Sequence, residues 1–335
     1  MKRTICVILS MLLLLGVSAC SAPKQEPKPT EGAPTAQPDA IADETKAAAD
    51  ETEAAADETE AAATEEAENL RYASWDEVPV NEYRQEEIEA DLNGQKIPGI
   101  VLIPELEQER YPLVICCHEL GDEYESCMDN AELMATHGIA ACCFEFRGIG
   151  SNTEISFDDM SIMTEVEDTM AVVAAAGEWS FVDPDKIVLY GRSLGGAVAA
   201  IAAARCAEQV NGLVLCYAAL SMPDKIRDQF SSLDDVPARF GLRGTTIMVG
   251  RAFAEDIFDY DILAEIGNYT KPVLILHGIT DPITPLSYME QAAESYPDAA
   301  LYSFFAGHGF NETRWEEANA ELLKYLQKIN MIEAD

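Results

Sequence analysis

Lys186-Ile-Val-Leu-Tyr190-Gly191-Arg192-Ser193-Leu194-Gly195-Gly196-Ala197-Val-Ala-Ala-Ile-Ala-Ala-Ala204 is the stretch on which the reading of the fold turns. Lys186 to Tyr190 reads as a strand, and Leu194 to Cys206 as a helix of small residues. Between them lies a Gly-x-Ser-x-Gly turn. Gly191 and Gly195 give room for a strained bend where a larger side chain would clash. The bend thrusts Ser193 out at the head of a helix, where the positive helix end and the Leu194 amide face a reacting oxygen. The five-residue string alone is weak evidence. With a strand before it and a small-residue helix after it, it reads as a nucleophile turn.

Outward from this turn, strand-length apolar runs alternate with helical patterns. Ile97 to Ile103, Leu113 to Cys117, Ile139 to Phe146, Leu213 to Tyr217, Val273 to Leu276 and Ala300 to Phe304 read as further strands. Several are apolar throughout, as in a sheet buried on both faces. Ser126 to His137, Met163 to Trp179, Leu286 to Tyr296 and Trp315 to Ile329 read as helices. The alternation predicts an α/β fold, with a mostly parallel central sheet flanked by helices. Only Ser221 to Gly267 interrupts it, and that segment reads as a small inserted cap.

A serine hydroxyl is a poor nucleophile until a base takes its proton. The chain has four histidines. His137 falls near a helix end and is expected at the surface, and His277 closes a strand, where a structural turn role fits. His118 follows the strand Leu113 to Cys117. His308 lies between glycines in Phe305-Ala-Gly-His-Gly-Phe310, after the last strand and before the last helix. Those glycines would let its ring approach the serine. Asp281, in the loop after the strand Val273 to Leu276, is the candidate acid that would hold the base's tautomer.

Residues 82–330 resemble the serine esterases of the α/β-hydrolase superfamily. The order Ser193, Asp281, His308 matches that family's nucleophile, acid and base. Cys117-His118-Glu119-Leu120-Gly121 looks like its HG-x-G loop, with Glu119 where glycine is usual. By position, the resemblance implies that the Leu120 amide joins the Leu194 amide as an oxyanion donor. Phe146-Arg147-Gly148-Ile149-Gly150-Ser151 is similar to the family's RGxGxS loop, and Lys271 to Gly278 is a further match. Within the superfamily, Ala218 to Asp224 and the short cap resemble bacterial cinnamoyl (feruloyl) esterases. That implies an aromatic acyl pocket from the cap, with Phe230, Phe240, Phe253, Phe258 and Tyr260 as candidates. Each could equally be packing the cap. His118 and Glu119 are further pocket candidates, and a Glu119 carboxylate there would disfavour anionic substrates. The expected reaction is ester hydrolysis through an acyl-enzyme, on a small-molecule ester and without metal or organic cofactor. A peptidase or amidase on the same fold, and a non-catalytic surface-binding lipoprotein, stay open. A lipase is less attractive, because Asp224, Lys225, Arg227 and Asp228 open the cap.

Across 335 residues there are 22 basic and 60 acidic side chains, a formal net charge of -38. Such a chain lacks the cationic surface that nucleic acid requires. The acidity is not confined to one segment, for residues 71–335 carry 17 basic and 46 acidic groups. Two of the nine cysteines fall in the first 20 residues. The other seven, with no zinc spacing among them, read as buried apolar residues.

Met1 to Cys20 has a charged start, Lys2-Arg3, then an apolar run too short to span a bilayer comfortably. Val17-Ser18-Ala19-Cys20 resembles the bacterial lipobox. The resemblance implies a signal peptide over 1–19, acylation of Cys20, and a protein held outside the cell membrane by its lipid. Residues 20–73 read as an acidic Ala/Thr/Glu-rich stalk with a seven-residue repeat starting at Asp43, Asp50 and Asp57. Alanine is the repeat's only apolar side chain, so a coiled-coil seam would bury little. The hydrolase-like domain is expected over 74–335. Oligomeric state is not readable.

Overall fold

The computed structural model describes residues 70–332. The expected signal segment, Cys20 and the stalk as far as residue 69 lie outside the described residues. Among the described residues no helix is long and apolar enough to cross a membrane.

Strands β1 (Tyr83–Leu92), β2 (Gln95–Pro104) and β3 (Tyr111–Cys117) come first, then helix α1 (Met128–Thr136) and β4 (Ala140–Phe144). Helix α2 (Ile162–Ala176), β5 (Val182–Arg192), α3 (Leu194–Arg205) and β6 (Gly212–Cys216) follow. Residues 221–267 then hold α4 (Met222–Gln229), the two short strands β7 (Arg239–Gly241) and β8 (Met248–Gly250), α5 (Ala252–Glu255) and α6 (Ile262–Ile266). The chain closes with β9 (Val273–Gly278), α7 (Leu286–Ser295), β10 (Ala299–Phe304) and α8 (Glu312–Lys328).

Eight strands form one sheet in the order β1-β2-β4-β3-β5-β6-β9-β10. β2 is antiparallel to β1 and β4, and all pairings from β4 to β10 are parallel. β7 and β8 pair only with each other.

β3 shows why the central strands are apolar throughout. Its alternate residues Leu113, Ile115 and Cys117 enter one core, with α2 and α3, while Val114 and Cys116 enter the other, with α1 and α8. The neighbours Cys116/Cys117 and Cys142/Cys143 are split between the two faces in the same way. All seven cysteines of the described residues are free and buried. Helix α3 is buried from Leu194 to Ala203, and only small residues let it pack so tightly against β5 and β6. Gly196, for instance, is where a Cβ would meet the Ala218 Cβ at 2.7 Å.

The sequence reading missed β1. Most of its residues are exposed, charged ones among them, so it has no apolar run to read. Its signal is the turn Asn93-Gly94, with φ of 55° and 90°, the pair favoured in tight hairpins. Residues before 74 also make contacts with the domain. The Tyr72 N–H donates to Gln327 Oε1 at 2.9 Å, and the Trp75 indole donates to the Asn319 carbonyl at 2.7 Å. His137 departs from its expected surface position. It is half-buried, edge-on to Trp75 with ring centroids 4.9 Å apart.

Candidate active site

Ser193 stands between β5 and α3 with φ 49° and ψ -116°. A non-glycine residue held there costs about 1–3 kcal/mol, so the surroundings must over-determine the bend. Its N–H donates to the Cys216 carbonyl at 3.0 Å, and its carbonyl accepts from the Ala219 N–H at 2.8 Å. A Cβ on Gly191 would lie 2.3 Å from the Gly195 carbonyl oxygen, and one on Gly195 would lie 2.3 Å from those of Cys117 and His118. These two glycines let strand, turn and helix close on each other.

Ser193 Oγ lies 2.7 Å from His308 Nε2, and His308 Nδ1 lies 2.8 Å from Asp281 Oδ2. The carboxylate accepts from Nδ1–H, which leaves Nε2 to accept the serine proton. The loops that carry Asp281 and His308, after β9 and β10, are zipped together. Ile279 N–H donates to the Phe304 carbonyl at 2.8 Å and Thr280 N–H to that of Ala306 at 3.0 Å. Gly278 permits the approach, since a Cβ there would meet the Gly307 oxygen at 2.3 Å. Asp281 Oδ1 accepts from the amides of Ile283 at 2.7 Å and Thr284 at 2.9 Å. Burial pushes this carboxyl up, but the bonds from His308 and those amides outweigh it, so it sits below its ordinary value.

His277, expected in a structural turn, is fully buried with Nε2 2.9 Å from the Thr284 carbonyl and 3.7 Å from Asp281 Oδ2. Desolvation holds its pKa below the ordinary 6.5, against the raising effects of that bond and of Asp281. As pH falls past about 6.5 the unfolded chain takes a proton that folded His277 refuses, so stability is lost on the acid side. His277→Gln, which keeps an N–H for Thr284, is expected to flatten the decline of Tm between pH 7 and pH 5. An unchanged difference from wild type across that range would contradict it.

The amide of Leu194, first residue of α3, is among the helix-start donors without an intrahelical partner. Leu120 lies in the loop after β3, and that loop's geometry is set by residues the sequence reading missed. Glu119 was expected beside substrate. Its Oε1 instead accepts from Arg192 Nη2 at 2.6 Å and from the Tyr217 hydroxyl at 2.9 Å. Arg192 Nη1 also donates to the Ser126 carbonyl at 2.6 Å, and the guanidinium sits 5.3 Å from the Trp315 ring centroid. Tyr217, at φ 39°, is edge-on to His308 with centroids 5.1 Å apart. The Glu119 charge is therefore matched by Arg192 and not presented to an incoming anion. Arg192 was visible as the second residue of the Gly-x-Ser-x-Gly turn, but its partners are 73 and 25 residues away. Arg192→Met leaves a half-buried carboxylate unpaired. The expected stability loss is below the roughly 3–5 kcal/mol of a fully buried pair, since the Glu119 side chain keeps 21% exposure. The Arg192→Met/Glu119→Gln double variant should recover part of that loss in denaturant unfolding; no recovery would refute the pairing.

The remaining pocket candidates are placed as follows. His118 is 2% exposed and turned inward, with its ring against Phe146 at 4.6 Å between centroids. Phe240 is buried and edge-on to Phe230 at 5.1 Å, so the two pack each other within 221–267. Phe253 is fully buried. Tyr260 lines a cleft of about 440 Å³ with Leu220, Asp224 and Tyr288, and neither Ser193 nor His308 lines that cleft. Phe305 and Ile279, 76% and 48% exposed, give the loops of base and acid an apolar outer surface.

A central, mostly parallel sheet with a serine turn after β5, an aspartate after β9 and a histidine after β10 is the α/β-hydrolase fold. A model of the family described as serine aminopeptidase, S33, matches residues 108–243. Among solved structures, Est1E from Butyrivibrio proteoclasticus with bound ferulic acid superposes with a TM-score of 0.65 at 21% identity, over 73% of this chain and 100% of that one. Puromycin hydrolase does so with a TM-score of 0.56 at 20% identity, over 76% and 40%. Among curated proteins, the quorum-quenching protein AidA of Acinetobacter baumannii is 26% identical over 111 residues, 33% of this chain and 36% of its own length. An uncharacterized protein of Mycobacterium tuberculosis is 27% identical over 207 residues, 60% of this chain and 63% of its own length. The chain thus spans less than two thirds of either curated relative.

Proposed function

We propose that the chain is a serine hydrolase that cleaves carboxylic esters through an acyl-enzyme. The observation that carries the reading is the continuous path from Ser193 Oγ through the His308 ring to Asp281, at 2.7 and 2.8 Å. Ser193 attacks the acyl carbon as His308 Nε2 takes its proton. The amides of Leu194 and Leu120 receive the negative charge that develops on the carbonyl oxygen. His308 then protonates the leaving alcohol. Water, activated by the same ring, cleaves the acyl-enzyme and restores the serine.

An aromatic acyl group, as in a ferulate ester, is the preferred substrate class. The shape of Est1E and the apolar surface at Phe305 and Ile279 support it. Amide or peptide cleavage is the second reading, favoured by the aminopeptidase family match. We place the enzyme outside the cell membrane on acylated Cys20, on the strength of the leader and the lipobox-like Val17 to Cys20. The test is an initial-rate comparison of p-nitrophenyl butyrate, methyl ferulate and an alanyl p-nitroanilide on the full chain. Serine-dependent turnover of methyl ferulate above the butyrate ester is expected. Turnover of the anilide alone would move the assignment to the peptidase.

A further inference from the structure

One group of side chains has no part in the reaction proposed above. Glu145, just after β4, is 1% exposed, and neither of its carboxylate oxygens has a hydrogen-bond partner. A buried carboxylate is costly unless something compensates its charge. His118 Nε2 stands 3.3 Å from Oε1, and the ring is fixed from its other side by Nδ1–H donating to the Glu119 carbonyl at 3.0 Å. Around this carboxylate lies more negative charge. Carboxylate oxygens of Glu123, Glu125 and Glu145 all lie within 4.8 Å of one another.

Repulsion alone would drive the two exposed glutamates away from Glu145. They are brought in by a backbone that makes room for them. Gly150 has φ 51°, and a Cβ there would lie 2.8 Å from Glu145 Oε2 and 3.0 Å from the Glu123 carboxyl carbon. The second glycine of Arg147-Gly-Ile-Gly150 therefore forms the wall of a cradle that any side chain would fill. Cation-bound oxygens at about 2.0–2.6 Å from a centre are separated by roughly 3–5 Å, and these carboxylate oxygens are no farther apart than 4.8 Å.

We infer that Glu123, Glu125 and Glu145 bind a hard divalent cation of the calcium class, between the loop after β3 and the loop after β4. Three carboxylates and no sulfur select an oxygen-seeking ion. Two ligands at the surface leave places for the waters that complete six to eight oxygens around calcium. His118 Nε2, 3.3 Å from Oε1, makes no hydrogen bond to it, so the carboxylate keeps both oxygens for an ion. The ion would tie down residues 119–125, the loop that carries the Leu120 amide. The inference does not depend on which bond the enzyme cleaves.

The test is a Mn²⁺ titration of the full chain followed by electron paramagnetic resonance, with Ca²⁺ as competitor, beside thermal unfolding with CaCl₂ or EDTA. One saturable Mn²⁺ site per chain, displaced by Ca²⁺, is expected. Its affinity should fall at least tenfold in Glu145→Gln and in Glu123→Gln/Glu125→Gln. The second variant alters only surface side chains, so it reads binding even where Glu145→Gln fails to fold. CaCl₂ should raise Tm in wild type and not in that double variant. Equal Mn²⁺ affinity in wild type and the double variant, or no saturable site in wild type, would overturn the inference.

Discussion

Ser193→Ala is expected to lower kcat on p-nitrophenyl butyrate by about 10⁶-fold and to abolish labelling by a fluorophosphonate probe. The hydroxyl lies 2.7 Å from His308 Nε2. Removing it leaves the fold's hydrogen bonds through the Ser193 backbone untouched, so Tm should stay near wild type. His308→Ala should cost about as much, and the two together little more, because nucleophile and base act as a unit. Residual activity within tenfold of wild type in a folded Ser193→Ala sample would remove the mechanism.

The second large effect is expected at Gly195. A methyl group there would be driven 2.3 Å from the carbonyl oxygens of both Cys117 and His118. Neither is a flexible side-chain end, so backbone must move. The segment pushed is the one that leads directly into Glu119 and Leu120. Gly195→Ala should therefore separate the Leu120 amide from the Leu194 amide and reduce kcat by about 10²–10³-fold, the usual consequence of losing one oxyanion donor. A stability loss of about 1–3 kcal/mol from overpacking should accompany it. The check is kcat per folded molecule, with folding read by circular dichroism. Gly177→Ala, where the nearest contact is an ordinary 3.6 Å, is the comparison and should behave like wild type. A Gly195→Ala enzyme of normal kcat would mean that the two amides are not fixed by this crossing.

Different parts of this site were legible to different degrees. The turn at Ser193 is a local feature, so strand, glycines and small helix all report on it within about twenty residues. Asp281 and His308 stand out because each follows a strand in a loop built from glycine, proline or threonine, and the fold brings both to the serine. Glu119, Arg192, Tyr217 and Trp315 carry no such mark. Their contacts join distant segments, and nothing in Cys117-His118-Glu119 says that the carboxylate turns back to an arginine 73 residues on. His118 misled for a related reason: a histidine beside a strand end reads alike whether its ring points out to substrate or in to Glu145. The cap aromatics stayed ambiguous because residue type records apolar area without direction; Phe230 and Phe240 pack edge-on against each other. β1 escaped because an edge strand with most residues exposed shows no apolar run, although Asn93-Gly94 announced its hairpin.

Ser193 and His308 are separated by 115 residues, and Asp281 too lies beyond the segment 221–267. On the ribosome this spacing is an interval of time. At roughly 5–20 residues per second, about 6–23 s pass between the synthesis of Ser193 and that of His308. Throughout that interval the nascent chain carries an ordinary alcohol at the tip of an incomplete sheet. β9, which must lie against β6 before β10 can join, is itself made late. A prematurely terminated product ending between residues 206 and 307 would carry the Ser193 turn without His308. The three side chains can meet only when nearly the whole domain has been made.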